Sequence, residues 1–242
     1  MRYPEIRAGG YSRVDGSVAF YGRVQALISE CPEPITIVDF GAGRGRLADD
    51  PVPYRRHLQE LRGPGRTVIG VDVDPVVTTN PRIDEGRVIG PDGDIPVDDA
   101  SVDLVVSDWT FEHVDQPEKA AAELGRILRP DGWICAVTPN KRGYIALGAR
   151  LVPNRLHVRA LRKLQPGKAE VDTFPTRYRM NTLGDLRRLF PEPTFSVHAF
   201  TSDAEPYLYA AGSKVLTSAL SVVQRAPAPF KSVWQIFIQK HG

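Results

Sequence analysis

Ile35-Thr-Ile-Val-Asp-Phe-Gly-Ala-Gly-Arg-Gly-Arg-Leu47 is the stretch whose reading decides the fold of this 242-residue chain. Ile35 to Phe40 is a short apolar run rich in β-branched residues, the signature of a strand buried in a parallel sheet. Asp39 falls at its end, the edge at which open α/β sheets bind ligands. Gly41, Gly43 and Gly45 follow at alternate positions. Without a Cβ, the backbone there can turn sharply and pass close to a bound molecule.

Thr67-Val-Ile-Gly-Val-Asp72 reads as a second buried strand, and it too ends in an acid. A carboxylate at that edge can accept hydrogen bonds from both hydroxyls of a ribose lying over the glycine turn. The dinucleotide fingerprint Gly-x-Gly-x-x-Gly would need a third glycine at position 46, which is Arg46. The spacing present is Asp-x-Gly-x-Gly-x-Gly. That pattern resembles the nucleoside-binding loop of the class I S-adenosylmethionine-dependent methyltransferases. Three further stretches extend the resemblance in the expected order. Asp72 stands where that family places its ribose acid. Gly93-Asp-Ile-Pro-Val-Asp-Asp-Ala-Ser-Val-Asp103 is similar to its adenine-binding segment. Leu128-Arg-Pro-Asp-Gly-Trp133 resembles the turn before its fifth strand. The similarity covers roughly residues 35 to 140 and is nearest to the branch, called type 11, that modifies small molecules, lipids and sugars.

The resemblance implies S-adenosyl-L-methionine as cofactor and assigns residues to it. Gly41, Gly43 and Gly45 would pass under its methionine portion, and Asp39 would reach its ammonium. Asp72 would hold the ribose. Asp94 would accept from the adenine amino group, with Val73 and Ile95 on either side of the ring. Asp108 would touch the methionine end through its backbone. On the acceptor side the informative stretch is Ser107-Asp-Trp-Thr-Phe-Glu-His-Val114, which follows the fourth strand. His113 is the first candidate for a general base, since imidazole changes charge near neutral pH. The family often carries Glu-His-Val here, where the histidine supports the loop, so that reading stands beside catalysis. The Asp108 carboxylate is the second candidate base. Trp109 and Phe111 are read either as pocket wall or as core. Trp109, Tyr178 and Arg179 are the candidate substrate contacts.

The strand and helix patterns alternate, which argues for a parallel sheet with helices on both faces. The resemblance makes this a Rossmann-like, doubly wound α/β fold of seven strands, mostly parallel with an antiparallel last strand, plus a partly helical cap. One methyltransferase domain is expected over 1–242. Its core is placed at about 30–140 and 181–242, and its cap segments at about 1–25, 141–180 and 202–230. Helices are predicted over 17–29, between the glycine loop and Asp72, over 117–128, over 182–190 with Thr182 as N-cap, and over 214–224. Strands are predicted at 87–90, 102–107, 133–138, 195–201 and 232–240. The arm ahead of the first helix often folds over the cofactor in this family, which makes Tyr11, Arg13, Tyr21 and Arg23 candidates for the methionine end or the substrate.

Lys141 to Lys168 holds eight Lys or Arg and no acid. It reads as recognition of an anionic acceptor through Arg forks, as a basic helix resting on an anionic membrane surface, or as a solvated face. The net charge of +2 does not point to nucleic acid. Met1-Arg-Tyr-Pro-Glu5 lacks the apolar core of a signal peptide, and no run approaches the ~20 apolar residues of a membrane span. A cytoplasmic protein with two buried, reduced thiols, Cys31 and Cys135, is the expectation. No metal is expected: there is no His/Cys cluster for zinc and no placeable acidic triad for magnesium. A nucleobase amino-methyltransferase would carry Asn/Asp-Pro-Pro-Tyr/Phe after the fourth strand, where this chain has Ser-Asp-Trp-Thr-Phe. The expected activity is methyl transfer to a small molecule, sugar or lipid, at oxygen. The rivals are a nucleoside-binding protein without catalysis and a nicotinamide-dependent oxidoreductase. The second is disfavoured by Arg46 and by the lack of a Tyr-x-x-x-Lys pair.

Overall fold

The computed structural model describes residues 3–45, 50–143, 175–203, 222 and 230–242. Its centre is a seven-stranded sheet made of β1 (Ile35–Phe40), β2 (Arg66–Asp72), β3 (Glu85–Val88), β4 (Val102–Asp108), β5 (Leu128–Pro139), β6 (Phe195–Ser202) and β7 (Val233–Lys240), in the order β3-β2-β1-β4-β5-β7-β6. The first five strands pair in parallel, and β7 is antiparallel to both β5 and β6. The strand order runs outward in both directions from β1 and β4. Their carboxyl ends therefore border the crevice at which such sheets take ligands.

Strand alternation sorts the side chains to two faces. Ile35 and Ile37 of β1, Val68 of β2, Leu104 and Val106 of β4 and Cys135 and Val137 of β5 pack with Phe20, Tyr21, Val24 and Ile28 of α1 (Gly16–Glu30) and with Leu58 of α2 (Pro53–Leu58). Val38 and Phe40, Ile69 and Val71, Val105, Ile134 and Ala136 face the other way. They meet Ala121, Leu124 and Ile127 of α3 (Pro117–Ile127) and Leu186 of α4 (Leu183–Leu189). Helices thus cover both faces, as a parallel sheet requires. Asp15 caps α1 by accepting from Ser17 N and Val18 N, and Thr182 caps α4 by accepting from Asp185 N, as its sequence position predicts. Pro53 and Pro117 begin their helices, where a missing N–H is harmless.

Two strands depart from the sequence reading. β3 spans Glu85–Val88, not 87–90, because its ladder partners are Ile69 to Asp72 and Gly90 already belongs to a turn. β5 begins at Leu128, not after the Pro-Asp-Gly turn. Leu128 pairs with Val102 and Trp133 with Leu104, so the turn is an outward irregularity within the strand, with Asp131 at φ 63°. Cys135 is buried as expected, but Cys31, at the end of α1, is only partly covered. The predicted helix over 214–224 apart from residue 222, the basic face of Arg155, Arg159 and Arg162, and Arg46 lie outside the described residues.

Candidate active site

Three acids end three adjacent strands on one face. In the ladders Asp39 lies opposite Gly70 and Val106. Asp72 and Asp108 each stand two residues further along β2 and β4, so the period of two turns all three toward the α1 side. The glycine turn crosses in front of them. A side chain at Gly41 (φ 82°) would strike Thr110 Oγ1 at 2.1 Å, which locks the turn against the loop after β4. At Gly43 (φ 49°) the same construction meets only Asp72 Oδ2, at 3.9 Å, so the backbone there is open to a ligand. Gly45 packs on Asn80, whose Nδ2 donates to Ala42 O at 3.0 Å. Asp72 is nearly buried, and its two oxygens accept from Gly43 N and Asp74 N, each at 2.9 Å.

The electrostatics of this corner are those of a cation site. Burial, then the charges of Asp108 and Asp72, push the Asp39 carboxyl up to about 7, and no described group donates a hydrogen bond to it. Burial pushes Asp108 up to about 6, against a hydrogen bond from the Tyr21 hydroxyl at 2.8 Å. Two desolvated carboxylates beside an exposed turn of backbone suit a ligand that carries positive charge, and a sulfonium with an amino-acid ammonium has that chemistry. S-adenosylmethionine therefore fits the residues present.

The adenine-side residues are less gathered. Val73 is 62% exposed beside Asp72. Ile95 is instead 3% exposed in the core under α3. Its N–H donates to Glu123 Oε2 at 2.9 Å and its carbonyl accepts from Arg126 Nη2 at 2.8 Å. Asp94 is ion-paired with Lys119 of the same helix. The structure thus draws Asp94 and Ile95 toward α3, whereas Asp39, Asp72, Asp108 and the three glycines come together.

The loop after β4 holds the acceptor-side candidates. Trp109 has φ 54° and is 41% exposed, so it is not a core residue; its N–H donates to Val137 O at 2.9 Å. Phe111 is fully buried. His113 Nδ1 lies 3.2 Å from Pro175 O, which ties this loop to the segment that returns after the basic stretch. The same segment donates Arg177 N and Tyr178 N to Glu112 O, at 2.6 and 3.1 Å. The Glu112 carboxylate accepts from Thr138 Oγ1 at 2.9 Å, and Asn181 Nδ2 donates to that hydroxyl at 2.6 Å. Tyr178 stands at φ 54°, and Arg179 and Arg177 share Asp115 at 3.4 and 3.3 Å. Bulky residues at such φ are strained, and strain of this kind clusters at functional sites.

Sequence reasoning missed what holds α1 in place. Arg55 of α2 is 5% exposed and pairs with Asp15 at 2.8 Å and with Asp50 at 2.7 Å. Gln235 Nε2 donates to Gly16 O at 3.0 Å from the opposite side. The one available signal was an aspartate at an N-cap; the arginine is 40 residues away in sequence. Of the arm candidates, Tyr21 reaches the site. Tyr11 stacks on Tyr54, Arg13 pairs with Glu5, and Arg23 lies over Phe200.

A doubly wound sheet with a glycine turn and an acid at the next strand end defines a class of protein, and comparison with known proteins gives that class its name. Residues 38–136 match the methyltransferase domain family. A probable S-adenosylmethionine-dependent methyltransferase of Mycolicibacterium smegmatis is 34% identical over 108 residues. That match spans 43% of this chain and 38% of the relative's length. Among solved structures, a SAM-dependent methyltransferase from Aquifex aeolicus superposes with a TM-score of 0.50 at 15% identity, covering 94% of each chain. The YcgJ protein of Bacillus subtilis gives 0.52 at 14% identity, over 92% of this chain and 98% of its own. These two likenesses bear on the fold. Residues 38–136 of the chain thus match a methyltransferase domain, and the relative matched over part of its length is a probable S-adenosylmethionine-dependent methyltransferase. No described helix is long and apolar enough to cross a membrane.

Proposed function

We propose that the chain as a whole transfers a methyl group from S-adenosylmethionine to a hydroxyl of a small molecule, sugar or lipid. What carries the reading is the pair of partly buried carboxylates, Asp39 and Asp108, on one sheet face beside the open backbone of Gly43. Asp39, Asp108 and the glycine turn hold the methionine end, Asp72 holds the ribose, and Val73 lies along the adenine. When bound, the donor supplies an electrophilic methyl carbon on a sulfonium. The protein aligns the acceptor oxygen with it, and alignment alone removes several kcal/mol of barrier.

A hydroxyl must also lose its proton. Asp108, at the carboxyl end of β4, takes that proton and later releases it to water; its raised proton affinity suits the task. His113, held against Pro175 O, keeps the loop in register with the returning segment and is the less favoured base. Trp109 and Tyr178 form the walls of the acceptor slot, and Arg179 gives its rim a positive edge for an acceptor bearing an anionic group. Isothermal titration with S-adenosylhomocysteine tests the cofactor half. For the acceptor half, cell extract is incubated with protein and a donor carrying a trideuterated methyl group. A product class gaining one such group in mass spectrometry supports the reading. Tight cofactor binding with no product in any extract would replace it with a non-catalytic nucleoside-binding role.

A further inference from the structure

We propose that Tyr21 of α1 is a positioning residue of the methyl-transfer site, which fixes Asp108 in its ionised, ligand-facing form and so sets the pH at which the site admits a cationic ligand. The inference rests on the cofactor reading above. It concerns an element outside residues 38–136, the stretch matched by the methyltransferase family.

The geometry is specific. Tyr21 is 5% exposed, and its hydroxyl donates to Asp108 Oδ2 at 2.8 Å across 87 residues of chain. A phenol that is so nearly buried needs a partner, and a charged acceptor gives it a stronger bond than a neutral one. Its ring meets Phe20 edge to face, with centroids 5.0 Å apart, and Phe20 packs in turn on Phe237 of β7. α1 has little freedom to carry the hydroxyl away. Its first turn is held by the Asp15 cap, by Arg55 on Asp15, and by Gln235 on Gly16. Among the described residues, the charged and titratable groups that act on this corner are Asp39 on β1, Asp72 on β2 and Arg82, the last ion-paired with Glu60 at 2.9 Å. Burial opposes ionisation of Asp108, while that of Asp39 is opposed by burial and by the like charges of Asp108 and Asp72. The Tyr21 hydroxyl is the described group that favours it at Asp108 by direct donation.

Replacing the hydroxyl by hydrogen leaves the ring packing intact and removes only that donation. In Tyr21→Phe the Asp108 proton is held to higher pH. A ligand with an ammonium then competes with that proton over a wider acid range. A role limited to packing would predict no change in the pH profile.

The test is calorimetric affinity for S-adenosylhomocysteine from about pH 5 to about pH 8, for wild type, Tyr21→Phe, Asp108→Asn and the double variant. In Tyr21→Phe we expect affinity within about twofold of wild type at about pH 8 and a loss of about three- to tenfold at about pH 6. In the Asp108→Asn background, adding Tyr21→Phe is expected to leave the profile unmoved, since the group it acts on no longer titrates. Overlapping wild-type and Tyr21→Phe profiles, or a loss uniform across pH, would overturn the inference while leaving the cofactor reading intact. If wild type binds no S-adenosylhomocysteine at any pH, the cofactor reading itself fails. Circular dichroism of each variant at both ends of the range verifies the fold, and should Tyr21→Phe not fold, the pH slope of Asp108→Asn against wild type decides whether Asp108 titrates at all.

Discussion

At the scale of single residues, the site stores unfavourable electrostatics that a ligand relieves. Asp39 carries a carboxyl pushed up to about 7 by burial and by the charges of Asp108 and Asp72. An acid whose folded value exceeds its unfolded value stabilises the fold below the unfolded value, and that contribution is lost as pH rises through the folded one. Stability of the ligand-free protein attributable to Asp39 therefore falls between about pH 4 and about pH 7. Affinity for a cationic ligand rises over the upper part of the same window. Asp39→Asn is expected to raise the melting temperature of the ligand-free protein at pH near 8 and to weaken S-adenosylhomocysteine about tenfold or more, about 1.4 kcal/mol. Thermal melts with and without the ligand measure both effects at once. Loss of melting temperature in the ligand-free variant would contradict the electrostatic account. Asp72→Ala is expected to abolish measurable binding by calorimetry; unchanged affinity would remove Asp72 from the ribose site.

Among the elements, the sheet edge is fixed by devices on both sides. On one side the Asp15–Arg55–Asp50 cluster holds α1 and α2 together. Removing one member of a buried ion pair leaves an uncompensated charge and costs about 3–5 kcal/mol. Arg55→Ala is expected to destabilise by that order in urea unfolding, with a smaller loss for Arg55→Met, which refills the volume. Equal and negligible effects would show that α1 is held by packing alone. On the other side, Glu123 and Arg126 grip both backbone groups of Ile95, and hydrogen bonds from Arg126 and the Ile95 N–H hold the Glu123 carboxyl down to about 2. Between them the glycine turn abuts Thr110, so Gly41→Ala is expected to misplace the turn and cost S-adenosylhomocysteine binding. Gly41→Ala together with Thr110→Ala, which removes the two atoms that the new Cβ would meet at 2.1 and 2.4 Å, should recover part of it.

For the molecule as a whole, ligand binding and folding are linked. S-adenosylhomocysteine at a hundred times its dissociation constant should stabilise the protein by about 2.7 kcal/mol, read as a rise in melting temperature. Reduced nicotinamide dinucleotide should give neither that rise nor a fluorescence change. A response to it in place of S-adenosylhomocysteine would revive the oxidoreductase alternative that the glycine spacing argues against. The seven-stranded sheet places every acid of the site at the carboxyl ends of β1, β2 and β4, while α1 and the segment 175–181 approach from outside that core.

The sequence by itself determined the sheet, the glycine turn and the acids Asp39, Asp72 and Asp108, because apolar strand runs, alternate glycines and strand-end carboxylates are local patterns. It placed the caps of α4 and the start of α3 for the same reason. Only the tertiary structure decided that Tyr21 meets Asp108, that Arg55 neutralises Asp15, that Glu112 and Asn181 converge on Thr138, and that Asp94 and Ile95 turn to α3. Each of those contacts joins residues far apart in sequence, and a buried polar group takes whichever partner the packed core brings within reach. That choice is made by how helices sit on the sheet, which no local pattern of residues encodes.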